Sequence, residues 1–263
     1  MESIRQQRYE SAEEYDRKIG KITLFRHGDT TYTNQYPDLT DDGKFKLKSA
    51  GKSLKERVDE DSEDLLFLHS PSIRAKASMA HLLHGMEKTD GVAEVDVEEV
   101  ARSFSPLRSV EKLDADEAQK LIEKHMENIP VENQYEEFDR VYALHDDFEN
   151  SPHWEPRSKV ESRTRRLLRQ AIAMLVRNDS EDISKTPHIV AISHFETLNN
   201  LAVQIFGLDV EKDPLYARGE EMTLEVLRNA KNTGKVLLTC GFRDQHKSAW
   251  FNIQSGEITV IQQ

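Results

Sequence analysis

Several features that would settle a class quickly are missing from this sequence. It has one cysteine, Cys240, in 263 residues, so no internal disulfide can form and a reducing compartment, the cytoplasm, is expected. No apolar run approaches the ~18–20 residues of a membrane span. The first residues, Met1 to Gly20, are charged and lack an apolar centre, so they do not read as a secretory signal. No Gly-x-Gly-x-x-Gly follows an apolar run, which removes the usual dinucleotide cradle. Long Lys/Arg runs are absent too: 36 basic residues stand against 48 acidic ones, a formal charge of −12. Such a chain is repelled by nucleic acid and by anionic lipid, so neither is expected as a partner. There is no internal repeat and no low-complexity segment.

What is present is a set of short apolar runs in a charged background. Hydrophobic residues make up 37 % and charged residues 32 %, and the apolar share is below the ~45–50 % of an average domain. It is concentrated in runs of strand length: Ile22 to Phe25, Leu65 to Leu68, Ile189 to Ile192, Met222 to Leu227 and Val236 to Thr239. Between several of them lie stretches with helical spacing at Lys44 to Val58, Arg74 to His84, Val160 to Val176 and Glu196 to Phe206. Alternation of this kind predicts an α/β fold, a three-layer α/β/α arrangement with a mostly parallel sheet. The stretch 104–157 differs: it is acidic, polar and contains Pro106, Pro130, Pro152 and Pro156. Helical pieces are expected at Asp114 to Met126 and Tyr135 to Phe148. The stretch reads as an inserted helical cap or lid within one domain spanning 1–263, because long insertions in α/β domains often border the site. Arg102 just before it, and its Arg108, His145, Trp154 and Arg157, could reach a ligand or lie on the surface. Ser248 to Gln263 reads as a hairpin turning at Gln254 to Glu257.

Three of the apolar runs end in chemistry. Leu24-Phe25 runs into Arg26-His27-Gly28. His188-Ile189-Val190-Ala191-Ile192 runs into Ser193-His194. Leu68 runs into His69-Ser70-Pro71-Ser72-Ile73-Arg74. In open α/β sheets, ligands bind beyond the carboxyl ends of strands, so two imidazoles and two arginines are expected on one rim. Arg74 would fall in the first turn of a helix, where a cation opposes the helix dipole unless an anion joins it. A metal is the rival ligand for two histidines. Arg26 and Arg74 would repel it, and no Asp or Glu stands at a clear metal spacing, so no metal and no cofactor is expected. Planar guanidinium groups instead match phosphate oxygens.

With these residues in place, the chain resembles the histidine phosphatase superfamily, in its phosphoglycerate-mutase-like branch. Arg26-His27-Gly28 is similar to the family signature, continued by Asp29-Thr30. Leu39-Thr40-Asp41-Asp42-Gly43 with Gly51 resembles a Leu-Thr-x-x-Gly segment and its later glycine. Ser70-Pro71-Ser72-Ile73-Arg74-Ala75 with Ser78 resembles Ser-Pro-Leu-x-Arg-Ala and its following Thr. Glu161-Ser162 and Ser193-His194 resemble the closing pairs. Two positions depart: Phe195 stands where the family has glycine, and Asn34 falls one residue later than the usual asparagine.

The resemblance implies that His27 attacks phosphorus and becomes phosphohistidine, with His194 beside it. Arg26, Arg74, His194, Thr30 and Asn34 would bind the phosphoryl group. The nucleophile must be neutral, and the neighbouring positive groups should lower its pKa. A leaving alkoxide needs an acid. The branch implies a glutamate at the end of the strand Ala93 to Val100, so Glu99 is the choice and Glu98 the second. Glu196, one residue beyond the place where the acid-phosphatase-like branch carries its acid, is the third. The expected activity is phosphatase action on a small-molecule phosphomonoester or a phosphoprotein. A phosphoglycerate-type mutase is the alternative, because water and a sugar-acid hydroxyl can use one pocket. An inactive phosphate-binding scaffold on the same fold is the alternative from another class.

Overall fold

The computed structural model describes residues 17–32, 37–88, 120, 123–127, 131–152, 154–177, 184–228 and 234–261. Seven strands form one sheet: β1 (Arg17–Arg26), β4 (Glu63–His69), β5 (Thr186–Ser193), β6 (Glu221–Arg228), β7 (Lys235–Phe242), β8 (Gln245–Asn252) and β9 (Ile258–Val260), in the order β4-β5-β1-β6-β7-β8-β9. Two short strands, β2 (Thr30–Tyr32) and β3 (Pro37–Leu39), pair beside it.

Alternation along β1 and β5 decides the layering. Ile22, Leu24, Ile189 and Ala191 join one core with Leu167, Leu168, Ala171, Leu198 and Leu201. These come from α5 (Arg157–Arg177) and α6 (Phe195–Phe206). Phe25, Val190 and Ile192 point the other way, into a core with Leu54, Ala75, Met79 and Leu82. Those belong to α1 (Asp41–Arg57) and α2 (Ile73–Gly85). Both faces of the central strands are covered, so their sequences read as unbroken apolar runs. The three-layer arrangement is the expected one.

The sheet is mixed rather than parallel throughout. β4, β5 and β1 run parallel, and every pairing from β1 outward to β9 is antiparallel. The reason is connection length. A parallel crossover needs a dozen or more residues. Only residues 229–234 link β6 to β7, and Arg243-Asp244 alone link β7 to β8. Arg243, at φ 54, makes that tight turn. The C-terminal hairpin is present as β8 and β9, turning through Gly256 at φ 74.

Helix ends follow their caps. α1 begins three residues before the expected Lys44, because the Thr40 side chain accepts from the Gly43 N–H at 2.9 Å and Asp41 and Asp42 fill the first turn. α2 starts after Ser72, whose hydroxyl accepts from Ala75 N–H at 3.2 Å. α6 ends at Gly207, in the left-handed region at φ 70.

Within the inserted stretch, the expected helix Tyr135 to Phe148 is two helices, α3 (Val131–Leu144) and α4 (Asp146–Glu149). His145 between them is extended. Arg157 explains the break, because it donates to the Ala143 carbonyl at 2.5 Å and to the Asp146 carboxylate at 2.6 Å. Met126, Phe138, Tyr142, Phe148 and Trp154 form a small apolar cluster of their own. Of the helix expected at Asp114 to Met126, residues 120 and 123–126 are helical. The strand expected at Ala93 to Val100 lies outside the described residues. Among those described, no helix is long and apolar enough to cross a membrane.

Candidate active site

The three parallel strands deliver their ends to one place. Arg26 is in register with Ser193, and His69 with Ile192. The ladder then continues by two bonds. His27 N–H donates to the Ser193 carbonyl at 3.0 Å, and Ser70 N–H donates to the Ile192 carbonyl at 3.0 Å. His27 and His194 therefore lie side by side, with ring centroids 5.0 Å apart and planes tilted by 57°. Both are buried.

Glycines let the loop after His27 sit this low. A Cβ on Gly28 would come 2.8 Å from Leu47 Cδ1 and 3.0 Å from the Gly43 carbonyl oxygen. One on Gly43 would come 2.5 Å from the Asp29 carbonyl oxygen. The start of α1 thus packs directly beneath the loop. From the other side, the Gly28 N–H donates to Ser78 Oγ at 3.0 Å, and Ser78 Oγ donates to the Arg74 carbonyl at 2.7 Å.

The hydrogen bonds fix both imidazole tautomers. His27 Nδ1 lies 2.8 Å from the Gly28 carbonyl, which can only accept, so Nδ1 carries the proton and Nε2 keeps its lone pair. His194 Nδ1 faces Arg74, with Nη2 at 3.3 Å and Nε at 3.4 Å. A guanidinium can only donate, so Nδ1 accepts and Nε2–H donates to Ser70 Oγ at 2.6 Å. Burial, then Arg74 and Arg26, hold His27 well below the ordinary value of 6.5. Burial, then His27, Arg74 and Arg26, do the same for His194. Both imidazoles are held neutral, and since both ring nitrogens of His194 are engaged, His27 Nε2 is the nitrogen whose lone pair these hydrogen bonds leave for a nucleophile's use.

Arg26 is the most enclosed cation. Its Nη1 donates to the Tyr216 carbonyl at 2.6 Å, its Nη2 pairs with Asp139 of α3, and its guanidinium carbon lies 5.0 Å from the centre of the Phe195 ring. Phe195 is itself buried in the core beneath α6. Thr30 is buried at the start of β2, on the same loop as His27. Glu196 follows at the head of α6. Its Oε2 is closed off from solvent and has no hydrogen-bond partner among the described residues. Burial first, and then Asp139, raise its pKa above the usual carboxylate value. Glu196 also lines a cavity of about 160 Å³ between α6 and the inserted helices, walled by Tyr142, Val160, Phe195 and Val203. Asn34, Glu98 and Glu99 lie outside the described residues. Among those described, no group of three His, Cys, Asp or Glu side chains could hold a metal ion.

Sequence reasoning missed three charged groups. Arg218 stands just before β6 and pairs with Asp29 at 3.2 Å, and its charge acts on His27. Arg163 of α5 pairs with Glu155 at 2.7 Å, and its charge acts on His194. Asp139 comes from the insertion. Of the three, only Arg218 had a readable signal: an arginine before a glycine ahead of a strand, whose Gly219 N–H donates to the Arg26 carbonyl at 3.1 Å. Arg157 and Trp154 are engaged within the insertion rather than with the histidines.

No family model matches the chain, and no curated protein matches it. Solved structures do. A structure titled "Mycobacterial hydrolase 2" aligns over 86 % of this chain and 91 % of its own, with a TM-score of 0.53 and 15 % identity. The chain shares the fold of that hydrolase. A mycobacterial glucosyl-3-phosphoglycerate phosphatase complexed with VO3 aligns over 86 % of this chain and 98 % of its own, at TM-score 0.49 and 15 % identity. A phosphoglycerate mutase from Bacillus anthracis str. Sterne aligns over 93 % of both chains, at TM-score 0.48 and 14 % identity. At such identities the likeness is one of fold alone.

Proposed function

We propose that the chain belongs to the histidine phosphatase superfamily and hydrolyses a phosphomonoester through a phosphohistidine on His27 Nε2. One observation carries the reading. The Gly28 carbonyl holds the proton on Nδ1, which leaves the Nε2 lone pair bare among Arg26, Arg74 and Arg218. A cationic ring around a neutral nucleophile suits attack on an anionic phosphoryl group, and the same cations stabilise the charge of its equatorial oxygens. His194 and Thr30 join Arg26 and Arg74 as phosphate ligands, and Asn34 is assigned there from the sequence resemblance. Water then takes the phosphoryl group. The substrate is a small phosphorylated molecule, and residues 104–157 act as a lid inserted in one domain.

Glu99 is the proton donor that the sequence resemblance supports. A specific observation favours a second donor, Glu196: its Oε2 is closed off from solvent and burial raises its pKa above the usual carboxylate value, the direction a proton donor needs.

The test is His27→Ala. Hydrolysis of p-nitrophenyl phosphate is expected to disappear while circular dichroism stays that of the wild type. An acid-labile phosphoryl adduct should be trapped on the wild-type protein only. Full activity of the variant would falsify the mechanism. A folded wild type that is inert on a broad panel of phosphate esters would favour the scaffold alternative.

A further inference from the structure

The hydrogen bonding of Arg26 is incomplete in an informative way. Its Nη1 is turned to the Tyr216 carbonyl, which leaves the Nε–Nη2 edge, the side of a guanidinium that can take two oxygens of one phosphate. Asp139 pairs with Nη2, one of the two nitrogens of that edge. Nε is buried and has no hydrogen-bond partner among the described residues. The two side chains are only 7 % and 13 % exposed. Of the two nitrogens of that edge, one is taken by a carboxylate and the other has no hydrogen-bond partner among the described residues.

Resting on the phosphatase reading above, we propose that Asp139 is a resident stand-in anion on Arg26, which an incoming phosphate must displace. A guanidinium enclosed by Phe195 and the Tyr216 backbone needs an anion before substrate arrives, because an unpaired buried charge is strongly destabilising. Asp139 meets that need from α3, 113 residues away in the chain. A phosphate dianion carries more charge and offers oxygens to Nε and Nη2 together, so it wins the exchange, whereas singly charged small anions gain less. The exchange also has a kinetic use. After hydrolysis, inorganic phosphate sits among three arginines, and a carboxylate waiting to return to Arg26 weakens its hold.

The experiment measures inorganic phosphate binding to the full chain by calorimetry. Asp139→Asn keeps the shape and removes the charge, and it is expected to bind phosphate at least tenfold more tightly than wild type. Asp139→Glu keeps the charge and is expected to stay within threefold of wild type. Equal or weaker binding by Asp139→Asn, or the same tightening in Asp139→Glu, overturns the stand-in and leaves the phosphatase reading intact. Failure of wild type and both variants to bind phosphate overturns that reading as well. Should Asp139→Asn be too unstable for calorimetry, its thermal unfolding is followed with and without phosphate. A larger phosphate-induced rise in Tm than in wild type supports the proposal, and an equal or smaller rise overturns it.

Discussion

The end of the sheet opposite His27 and His194 contains a third buried histidine with a measurable consequence. His188 lies near the start of β5 and is fully buried. Its Nδ1–H donates to the Glu63 carboxylate at 2.6 Å, and its Nε2 accepts from the Thr23 hydroxyl at 2.8 Å. With the ring neutral, this tautomer satisfies both neighbours. Burial lowers the pKa to about 4, against the opposing pull of Glu63. The folded protein therefore refuses a proton that the unfolded chain accepts near 6.5. The associated stability is fully present above 6.5 and is lost as the pH falls toward 4. The gap from 6.5 to about 4 corresponds to about 3 kcal/mol, at ~1.4 kcal/mol per unit. More than half of that, about 2 kcal/mol, should be gone by pH 5.

The matching perturbation is His188→Gln, which offers an amide donor to Glu63 and an oxygen to Thr23 but does not titrate. Urea unfolding of both proteins at pH 7 and pH 5 supplies the comparison. The variant is expected to lose about 2 kcal/mol less than wild type between the two pH values. His27 and His194 also resist protonation, but they are common to both proteins and cancel in the difference. An identical pH dependence in the two would refute the reasoning, because it would mean that His188 binds its proton equally in the folded and unfolded chains.

Two other perturbations separate packing from chemistry. Gly51→Ala would place a Cβ 2.0 Å from the Leu82 carbonyl oxygen of α2, and Gly85 meets Lys48 of α1 at the same distance. Backbone cannot yield as a side chain can, so a loss of about 3 kcal/mol is expected in urea unfolding, and a change below ~1 kcal/mol would show that α1 and α2 slide freely. Glu99→Gln and Glu196→Gln test the two proton donors: the true donor's variant should lose turnover on alkyl phosphates at least tenfold more than on p-nitrophenyl phosphate, whose leaving group needs no proton. Equal losses on both substrates would rule out an acid role for the residue replaced.

What could be read from the sequence was whatever local order imposes. His27 and His194 each stand two residues past the end of an apolar run, so their place at a strand end needed no tertiary information. Arg74 was readable because the turn Ser70-Pro71-Ser72 fixes where a helix starts. The glycines at 43 and 51 were visible as a pattern, but their purpose was not, since Gly43 answers to Asp29 and Gly51 to Leu82 in a different helix. Strand direction was hidden as well. Val236 to Thr239 looks the same in either sense, and only the short links on either side of it decide. Asp139 and Arg163 could not be found at all. Each lies on a helix among many charges, and only the fold selects one of them to face a histidine or its arginine.

Phe195 stands where the resembled pattern has glycine, a departure that could have closed the pocket, and its surroundings argue the other way. The ring is part of the core beneath α6, and one face lies against the Arg26 guanidinium. A glycine at 195 would remove that support, which at partly desolvated sites amounts to ~1–2 kcal/mol. Arg26 is thus held on its face by Phe195, at one tip by Tyr216 and at the other by Asp139, so the departure from the family pattern orients the arginine instead of blocking it. The wider cluster costs the fold stability. Four cations, Arg26, Arg74, Arg163 and Arg218, act on two buried imidazoles, and burial and these charges keep each imidazole from taking up a proton. Such local conflict persists where a site has a task to perform. A protein that only bound other proteins through this fold would gain nothing from keeping His27 neutral with its Nδ1 proton held on the Gly28 carbonyl.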